Sequence, residues 1–217
     1  TGAISNALNT PSISAEDAPK LKPYADLAEK LGLFAGQISD GGFTDIEIGF
    51  EGEAAALNTK PLTAAAVAGA LRPIMNDVNM VSAPEILKSN GVGLTEAKRV
   101  DSPVYDNLIR IRVKVGGSWR DVAGAIVGGI PKIVEVKGMA LDAKFRPHIL
   151  YVNNLDKPGF IGSLGTILGK AGINIAAFNL GREVEGAEAI ALVGIDADVP
   201  DDTLEEICAL EQVRYVK

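Results

Sequence analysis

The fold of this chain is decided by one stretch, residues 148–180, which has the sequence HILYVNNLDKPGFIGSLGTILGKAGINIAAFNL. Its first residues are β-prone, and the run from Asn153 to Lys157 favours turns and helix caps. Pro158 suits the first turn of a helix, and Gly172 suits its C-terminal end. The stretch therefore predicts a strand, a loop, a helix, and a second strand that begins at Ile173.

The predicted helix and the residues after it extend this pattern to a complete domain. Apolar residues recur in the helix at three- and four-residue spacing, which predicts one buried face made of Ile161, Leu164, Ile167, Leu168 and Ala171. A strand is predicted at 189–195, a helix from 199 to 209, and a short strand at 213–216. The order β-α-β-β-α-β over about 70 residues is the ferredoxin-like arrangement.

The start of the predicted helix has the chemistry of a small-molecule site. Its unpaired N–H groups and partial positive charge favour a carboxylate near Asp156, and Gly159 lets a ligand approach the backbone. Asp156 can pair with an amino group, and the amides of Asn154 and Asn174 can bond polar edges, so a free amino acid fits. The alternative is that Asp156 and Asn154 only cap the helix and that Asn174 is only a turn residue.

The preceding residues predict a second domain, of the α+β class with a mostly antiparallel sheet. Strands are predicted at 43–50, 92–100, 108–115, 119–127, 133–136 and 139–142, and helices at 62–71 and from Pro84 to near Asn90. Gly116-Gly117 predicts a tight turn between two of these strands.

One face of this sheet collects basic side chains. Strand alternation places Arg110, Arg112 and Lys114 together, opposite an apolar face. Four more basic residues follow in the sequence, which are Lys132, Lys137, Lys144 and Arg146. One interpretation is a pocket for a phosphorylated or carboxylated metabolite, bound by Arg110, Arg112, Lys132 and Lys144. The other is a solvated sheet face.

Residues 1–38 predict a loop and then a helix, with Ser14 and Asp17 as a helix-start signal. No strand precedes this helix to pack against it, so we interpret the leader as the tail of a domain whose main body is absent. The first residue is Thr1 rather than Met, which also indicates a fragment or a processed chain. The predicted boundaries are 1–38 for the tail, 39–145 for the α+β domain and 146–217 for the ferredoxin-like domain.

Composition excludes several classes of protein. A net charge of -7 with 5% aromatic residues argues against a nucleic-acid surface. No apolar run approaches the roughly 20 residues that span a membrane, and no signal-peptide pattern is visible. The single cysteine, Cys208, rules out an internal disulfide framework and fits a reducing cytoplasm. We predict that it is a small core residue on a helix.

Several motifs resemble those of a known family. Asn154-Leu155-Asp156-Lys157-Pro158-Gly159, followed by Gly172-Ile173-Asn174-Ile175, resembles the signature of ACT domains, which are amino-acid-sensing modules. Upstream, NMVSAP at 79–84, GAIVGG at 124–129 and IVEV at 133–136 resemble the intervening regulatory domain of long-form D-3-phosphoglycerate dehydrogenases. The leader, with NALN at 6–9, is similar to the end of the catalytic portion of those enzymes.

The resemblance implies a regulatory function. Members oxidise 3-phosphoglycerate with NAD in serine biosynthesis, and their ACT domains pair between chains and bind L-serine at the junction. By position, Asn154, Asp156 and Asn174 match the polar effector contacts, and Gly159 and Ile175 complete the expected site. We therefore expect this chain to bind L-serine and to self-associate, as a dimer or tetramer in the parent enzyme, without a cofactor of its own.

No catalytic residue and no metal site are predicted in the chain. Gly91-Val92-Gly93 lacks the third glycine of a dinucleotide turn and opens a strand rather than a helix. The only histidine, His148, has no carboxylate partner that the sequence can assign. Two alternatives stay open: a regulatory portion of an iron–sulfur L-serine dehydratase, whose cluster needs several cysteines, and a dimerisation module without a ligand.

Overall fold

The computed structural model describes residues 18–217. The predictions for Ser14, Asp17 and residues 6–9 lie outside the described residues. The chain divides into two compact units, the first ending at Lys137 and the second comprising Gly138–Lys217, so the division comes earlier than the boundary predicted after residue 145. No helix between residues 18 and 217 is long and apolar enough to cross a membrane.

The first unit is an α+β structure with a mostly antiparallel sheet, as predicted. Its elements are α1 (Ala18–Gln37), β1 (Asp45–Gly52), α2 (Glu53–Ala56), α3 (Thr59–Leu71), α4 (Ala83–Ser89), β2 (Gly93–Arg99), β3 (Asn107–Val115), β4 (Ser118–Val127) and β5 (Ile130–Val136). The strand order is β2-β1-β3-β4-β5, in which β1 and β2 are parallel and the other pairs are antiparallel. The two helices predicted at 62–71 and from Pro84 are confirmed as α3 and α4, and α3 begins three residues earlier than predicted.

One face of this sheet is buried because apolar residues alternate with polar ones along the strands. Ile46 and Ile48 on β1 and Ile111 on β3 are at most 1% exposed. The sheet approaches α1 closely at Gly124, where an added β-carbon would lie 2.9 Å from side-chain atoms of Leu27 and Leu31. Helix α1 therefore covers the apolar face of the sheet.

Helix α1 also packs on α3, so the interpretation that its packing partner is absent is wrong. α3 is made mostly of alanine and other small residues, and all of it except Lys60 is buried. Small side chains let the two helices approach, and a β-carbon on Gly69 would lie 2.1 Å from the carbonyl oxygen of Glu29. The leader helix is part of the core of the first unit.

The second unit has the predicted ferredoxin-like arrangement. Its elements are β6 (Met139–Lys144), β7 (His148–Leu155), α5 (Phe160–Lys170), β8 (Ile175–Arg182), β9 (Glu188–Ile195), α6 (Asp201–Cys208) and β10 (Val213–Val216). Strands β7 to β10 form an antiparallel sheet in the order β10-β7-β9-β8. Both helices connect strands of this sheet, and α5 follows β7 directly.

The buried face of α5 differs from the predicted one. Ile161 is 54% exposed, and Ala171 is also exposed. The buried residues are Phe160, Leu164, Ile167 and Leu168. The helix begins at Phe160, and a residue one position later points about 100° away around the helix axis, so Phe160 rather than Ile161 enters the core.

Cys208 is exposed, so the prediction that it is a core residue is wrong. It is the last residue of α6, in which Thr203 and Ile207 are the buried positions. The residue after Ile207 turns away from that buried side of the helix.

Candidate functional site

The loop between β7 and α5 forms one wall of a cleft of about 310 Å³ in the second unit. Gly159 has a φ of 93°, a left-handed conformation that favours glycine, and it lies immediately before the first residue of α5. The lining residues are Asp156, Lys157, Pro158, Gly159, Phe160, Ile161, Gly162, Leu180, Arg182 and Glu185. The cleft therefore lies where the sequence predicts a small-molecule site.

Asp156 forms an ion pair with Arg182 in this cleft. Arg182 Nη1 donates a hydrogen bond to Asp156 Oδ2, and the backbone N–H of Gly186 donates to the same oxygen at 3.4 Å. The bond from Arg182 lowers the pKa of the Asp156 carboxyl from its ordinary value of 3.8, and the pKa of Arg182 is raised in return. A carboxylate and a guanidinium, both ionised at neutral pH, thus line the same cleft.

Asp156 and Asn154 do not cap α5, so that alternative role is wrong. The N-cap position is Gly159, and no side-chain cap hydrogen bond forms there within residues 18–217. Asn154 is 1% exposed, and its Nδ2 donates to the carbonyl oxygen of Leu155 at 2.9 Å. Its Oδ1 accepts no hydrogen bond within the described part of the chain. Asn154 therefore lies beneath the surface beside the cleft rather than in its lining.

Asn174 and Ile175 lie at the opposite end of the sheet. Ile175 on β8 pairs with Ile195 on β9, whereas Asn154 on β7 pairs with Ala189 on β9. Residues six positions apart on an extended strand are separated by about 20 Å. The structure therefore brings Asp156 and Gly159 together, with Asn154 nearby, but does not bring Asn174 and Ile175 to them within one chain.

The polar side chains at that opposite end have partners of their own. Asn174 Nδ2 donates to Asp196 Oδ2 at 2.7 Å. His148 Nδ1 lies 2.8 Å from Asp198 Oδ1, so the structure supplies the carboxylate partner that the sequence could not assign. Asp198 follows His148 by fifty residues, and only the pairing of β7 with β9 brings the two together.

The basic side chains of β3 share one face of the first sheet, as predicted, but they are matched by acidic ones. Arg110 donates two hydrogen bonds to Glu135, that from Nη2 to Oε2 being 3.0 Å long, and lies 3.5 Å from Asp121. The hydrogen bond with Glu135 is the main cause of the raised pKa of Arg110. The guanidinium of Arg110 is therefore already held by carboxylates of β4 and β5.

The next two basic residues of β3 are paired in the same way. Arg112 Nη1 donates to Glu47 Oε2 at 2.5 Å, and its guanidinium lies 4.6 Å from the ring centre of Trp119. Lys114 Nζ is 3.6 Å from Asp45 Oδ2. The alternation of acidic and apolar residues in β1 is visible in the sequence, but the pairing of β1 with β3 is needed to bring Asp45 and Glu47 to these cations.

Lys132 and Lys144 complete the predicted anion site. Lys132 is half-buried on β5, opposite Ala125 of β4. Lys144 is exposed at the end of β6, in the second unit. Anion binding by Arg110, Arg112, Lys132 and Lys144 stays a prediction, and the ion-paired face agrees better with the solvated alternative.

Comparison with known proteins assigns both units. The family model of the D-3-phosphoglycerate dehydrogenase intervening domain matches residues 20–137, and that of the ACT domain matches residues 148–212. The chain belongs to the D-3-phosphoglycerate dehydrogenase intervening-domain family. It carries an ACT domain after that intervening domain, and the cleft before α5 is in the ACT domain.

Individual relatives extend the match over nearly the whole chain. D-3-phosphoglycerate dehydrogenase of Methanocaldococcus jannaschii is 34% identical over 214 residues, which are 97% of this chain and 40% of the relative. The enzyme of Bacillus subtilis is 31% identical over 99% of this chain and 41% of its own length. That of Mycobacterium tuberculosis is 34% identical over 88% and 37%. The chain thus spans about 40% of the length of these curated relatives.

The chain corresponds to the regulatory region of those dehydrogenases. The glycine pattern Gly91-Val92-Gly93 leads into β2, an edge strand of the first sheet, and not into a helix. A helix N-terminus is what binds the pyrophosphate in a dinucleotide site, so this pattern does not fit NAD.

Proposed function

We propose that this chain is the serine-sensing and self-associating regulatory region of a D-3-phosphoglycerate dehydrogenase that acts in serine biosynthesis. The observation that carries the proposal is the cleft before α5. Asp156 offers a carboxylate to an ammonium group there, and the first-turn N–H groups of α5 favour a carboxylate. L-serine carries both groups, and the relatives that the chain matches are D-3-phosphoglycerate dehydrogenases.

Two chains together would complete the site. Asn174 and Ile175 lie too far from Asp156 to contact the same small ligand within one chain. A second ACT domain would supply its own Asn174 to the cleft of the first. Exposed apolar side chains beside the cleft support such pairing, because Ile161 is 54% exposed and Val184 is 63% exposed.

In the intact enzyme, serine binding would be coupled to catalysis elsewhere. The relatives are dehydrogenases, and we propose that the parent of this chain oxidises 3-phosphoglycerate with NAD in the cytoplasm, at a site outside this region. If L-serine binds one global state better than another, it shifts the enzyme toward that state. The coupling is reciprocal, so substrate would change the affinity for serine by the same factor.

Titration calorimetry of the chain with L-serine tests the proposal. We expect heat of binding for the wild-type chain, and an affinity about tenfold lower or worse for Asn174→Ala, because the substitution leaves polar groups of the ligand unpaired. Asn90→Ala is the matched control, since Asn90 is also an exposed asparagine that follows a helix. No heat for the wild-type chain at millimolar L-serine would refute serine sensing.

A dimerisation module without a ligand is the second candidate. One observation favours it: the Asp156 carboxylate in the cleft already accepts hydrogen bonds from Arg182 and from the N–H of Gly186, so it has partners without a ligand. Light scattering separates the two candidates. A mass that rises with L-serine supports the sensor, whereas an associated mass that is the same with and without L-serine, together with no calorimetric heat, supports the module.

A further inference from the structure

The ion pair in the ACT cleft joins two elements that are not neighbours in the sheet. Arg182 is the last residue of β8 and pairs through its backbone with Ala189 of β9. Asp156 follows β7, on the other side of β9, and its N–H donates to Ala187. The guanidinium of Arg182 therefore reaches across the end of β9 to the carboxylate, and both residues of the pair line the cleft.

The two partners differ in how firmly the fold holds them. The side chain of Asp156 is 16% exposed and has a second hydrogen-bond donor in Gly186. The side chain of Arg182 is 48% exposed, and its terminal group can swing on a long flexible stem. Lys157 and Glu185 are the other charged residues that line the cleft. Separation of the pair would thus move Arg182 rather than Asp156.

We propose that Arg182 is the carboxylate ligand of this site, and that a zwitterionic amino acid binds by inserting between Arg182 and Asp156. This inference rests on the proposed function and names the residue that selects amino acids as the class of ligand. The ligand ammonium would take the place of Arg182 at Asp156, and the ligand carboxylate would take the place of Asp156 at Arg182. An α-amino acid carries both charges on one carbon, so a small displacement of Arg182 accommodates it.

Charge balance explains why such a site selects amino acids. One ion pair is exchanged for two when a zwitterion inserts, and neither protein charge is left without a partner. A ligand with only an ammonium would have to displace Arg182 from Asp156 and offer it nothing in return. A ligand with only a carboxylate would leave Asp156 without a partner. Bidentate recognition of a carboxylate is the geometry for which a guanidinium is suited.

Arg182→Gln tests this inference with two ligands, L-serine and L-serinamide, which keeps the ammonium but has no carboxylate. We expect the affinity for L-serine to fall by about tenfold or more, since a charged hydrogen bond is lost. The affinity for L-serinamide should stay equal or rise, because Asp156 is freed from its competitor. Arg214→Gln is the matched control, since Arg214 is an exposed arginine on β10, at the opposite edge of the same sheet.

The outcomes separate this inference from the proposed function. No binding of L-serine to the wild-type chain overturns both. Binding to the wild type that Arg182→Gln leaves unchanged or strengthens overturns the role of Arg182 alone. An equal loss for both ligands also overturns it, because damage to the cleft would then be the cause.

A measurement on the wild-type chain covers the case in which Arg182→Gln does not fold. The arginine side-chain N–H resonance that is missing from Arg182→Lys identifies Arg182 by NMR. That resonance should shift on addition of L-serine. A resonance that does not respond to saturating L-serine refutes the insertion.

Discussion

Gly32 on α1 meets Ala66 on α3 so closely that a β-carbon on Gly32 would lie 2.0 Å from the carbonyl oxygen of Ala66. Gly36 repeats the contact one turn later, where its β-carbon would lie 2.4 Å from the carbonyl oxygen of Ala70. Each step is four residues on both helices, so the two backbones touch along a row of glycines. These glycines let α1 pack directly against the backbone of α3 in the first unit.

Gly32→Ala should therefore destabilise the first unit. The extra methyl has no room against the backbone of α3, and overpacking of this kind costs about 1–3 kcal/mol or more. The measurement is urea unfolding followed by the fluorescence of Trp119, the single tryptophan, which lies on β4 of the same unit.

A glycine in the other unit provides the matched control. Gly165 lies inside α5, and a β-carbon there would meet nothing within 4 Å. Gly165→Ala should stabilise the ACT domain by about 0.5–1 kcal/mol through helix propensity alone. This would be followed by circular dichroism. Equal effects of the two substitutions would contradict the close packing of α1 on α3.

The elements of the fold that the sequence predicts correctly are those with local signals. Pro61 and Pro84 lie near the starts of α3 and α4, and Gly172 follows α5 with a φ of 73°. The partner of α1 has no such signal. It depends on glycines at 32 and 36 meeting an alanine-rich helix more than thirty residues later, and a sequence pattern does not say which small residues face each other.

The candidate site could be located from the sequence but not completed. A helix start is predicted at Pro158 from local signals, and α5 begins two residues later, at Phe160, with Gly159 at the N-cap. Arg182 is missed because it follows Asp156 by 26 residues and reaches it across another strand. The sequence does show a cation, Arg182, two positions beyond Leu180, the last residue of the stretch that predicts this strand. Its significance depends on the strand order β7-β9-β8.

The ion pair of the cleft predicts a low pKa for Asp156. The hydrogen bond from Arg182 lowers this pKa from 3.8 in the folded chain. The contribution of the pair to stability is therefore fully present above about pH 4 and is lost as the pH falls through the lower folded-state value. A carboxyl-carbon NMR titration should give a pKa below 3.8, and Arg182→Gln should raise it toward that value. Arg214→Gln should leave it in place, and an equal rise in both variants would argue against the pair.

Arg110 and Glu135 should be energetically coupled. Their side chains are 28% and 25% exposed and share two hydrogen bonds, so water screens the pair only in part. A double-mutant cycle with Arg110→Met and Glu135→Met should give a coupling of about 1–2 kcal/mol in urea unfolding.

The comparison for that cycle is an exposed pair on α1. Lys22 and Asp26 are 2.9 Å apart, with side chains 73% and 48% exposed. Pairs of this kind contribute about 0.3–0.5 kcal/mol. A coupling for Arg110 and Glu135 no larger than that would mean that the sheet face is effectively solvated, and that its arginines are more readily available to an anion.

Tyr24 should titrate well above the ordinary pKa of a tyrosine, which is 10.0. Its hydroxyl donates to Glu53 Oε2 at 2.9 Å, and burial, followed by this hydrogen bond, raises its pKa from 10.0 to about 12. The fold favours the protonated phenol, so this contribution to stability is fully present below pH 10 and is lost as the pH rises toward 12. In an ultraviolet absorbance titration, the component that Tyr24→Phe removes should have a midpoint near 12. Glu53→Gln should lower that midpoint only in part, because burial is the larger cause. If the component that Tyr24→Phe removes has a midpoint near 10.0, the phenol of Tyr24 is not buried as the structure shows.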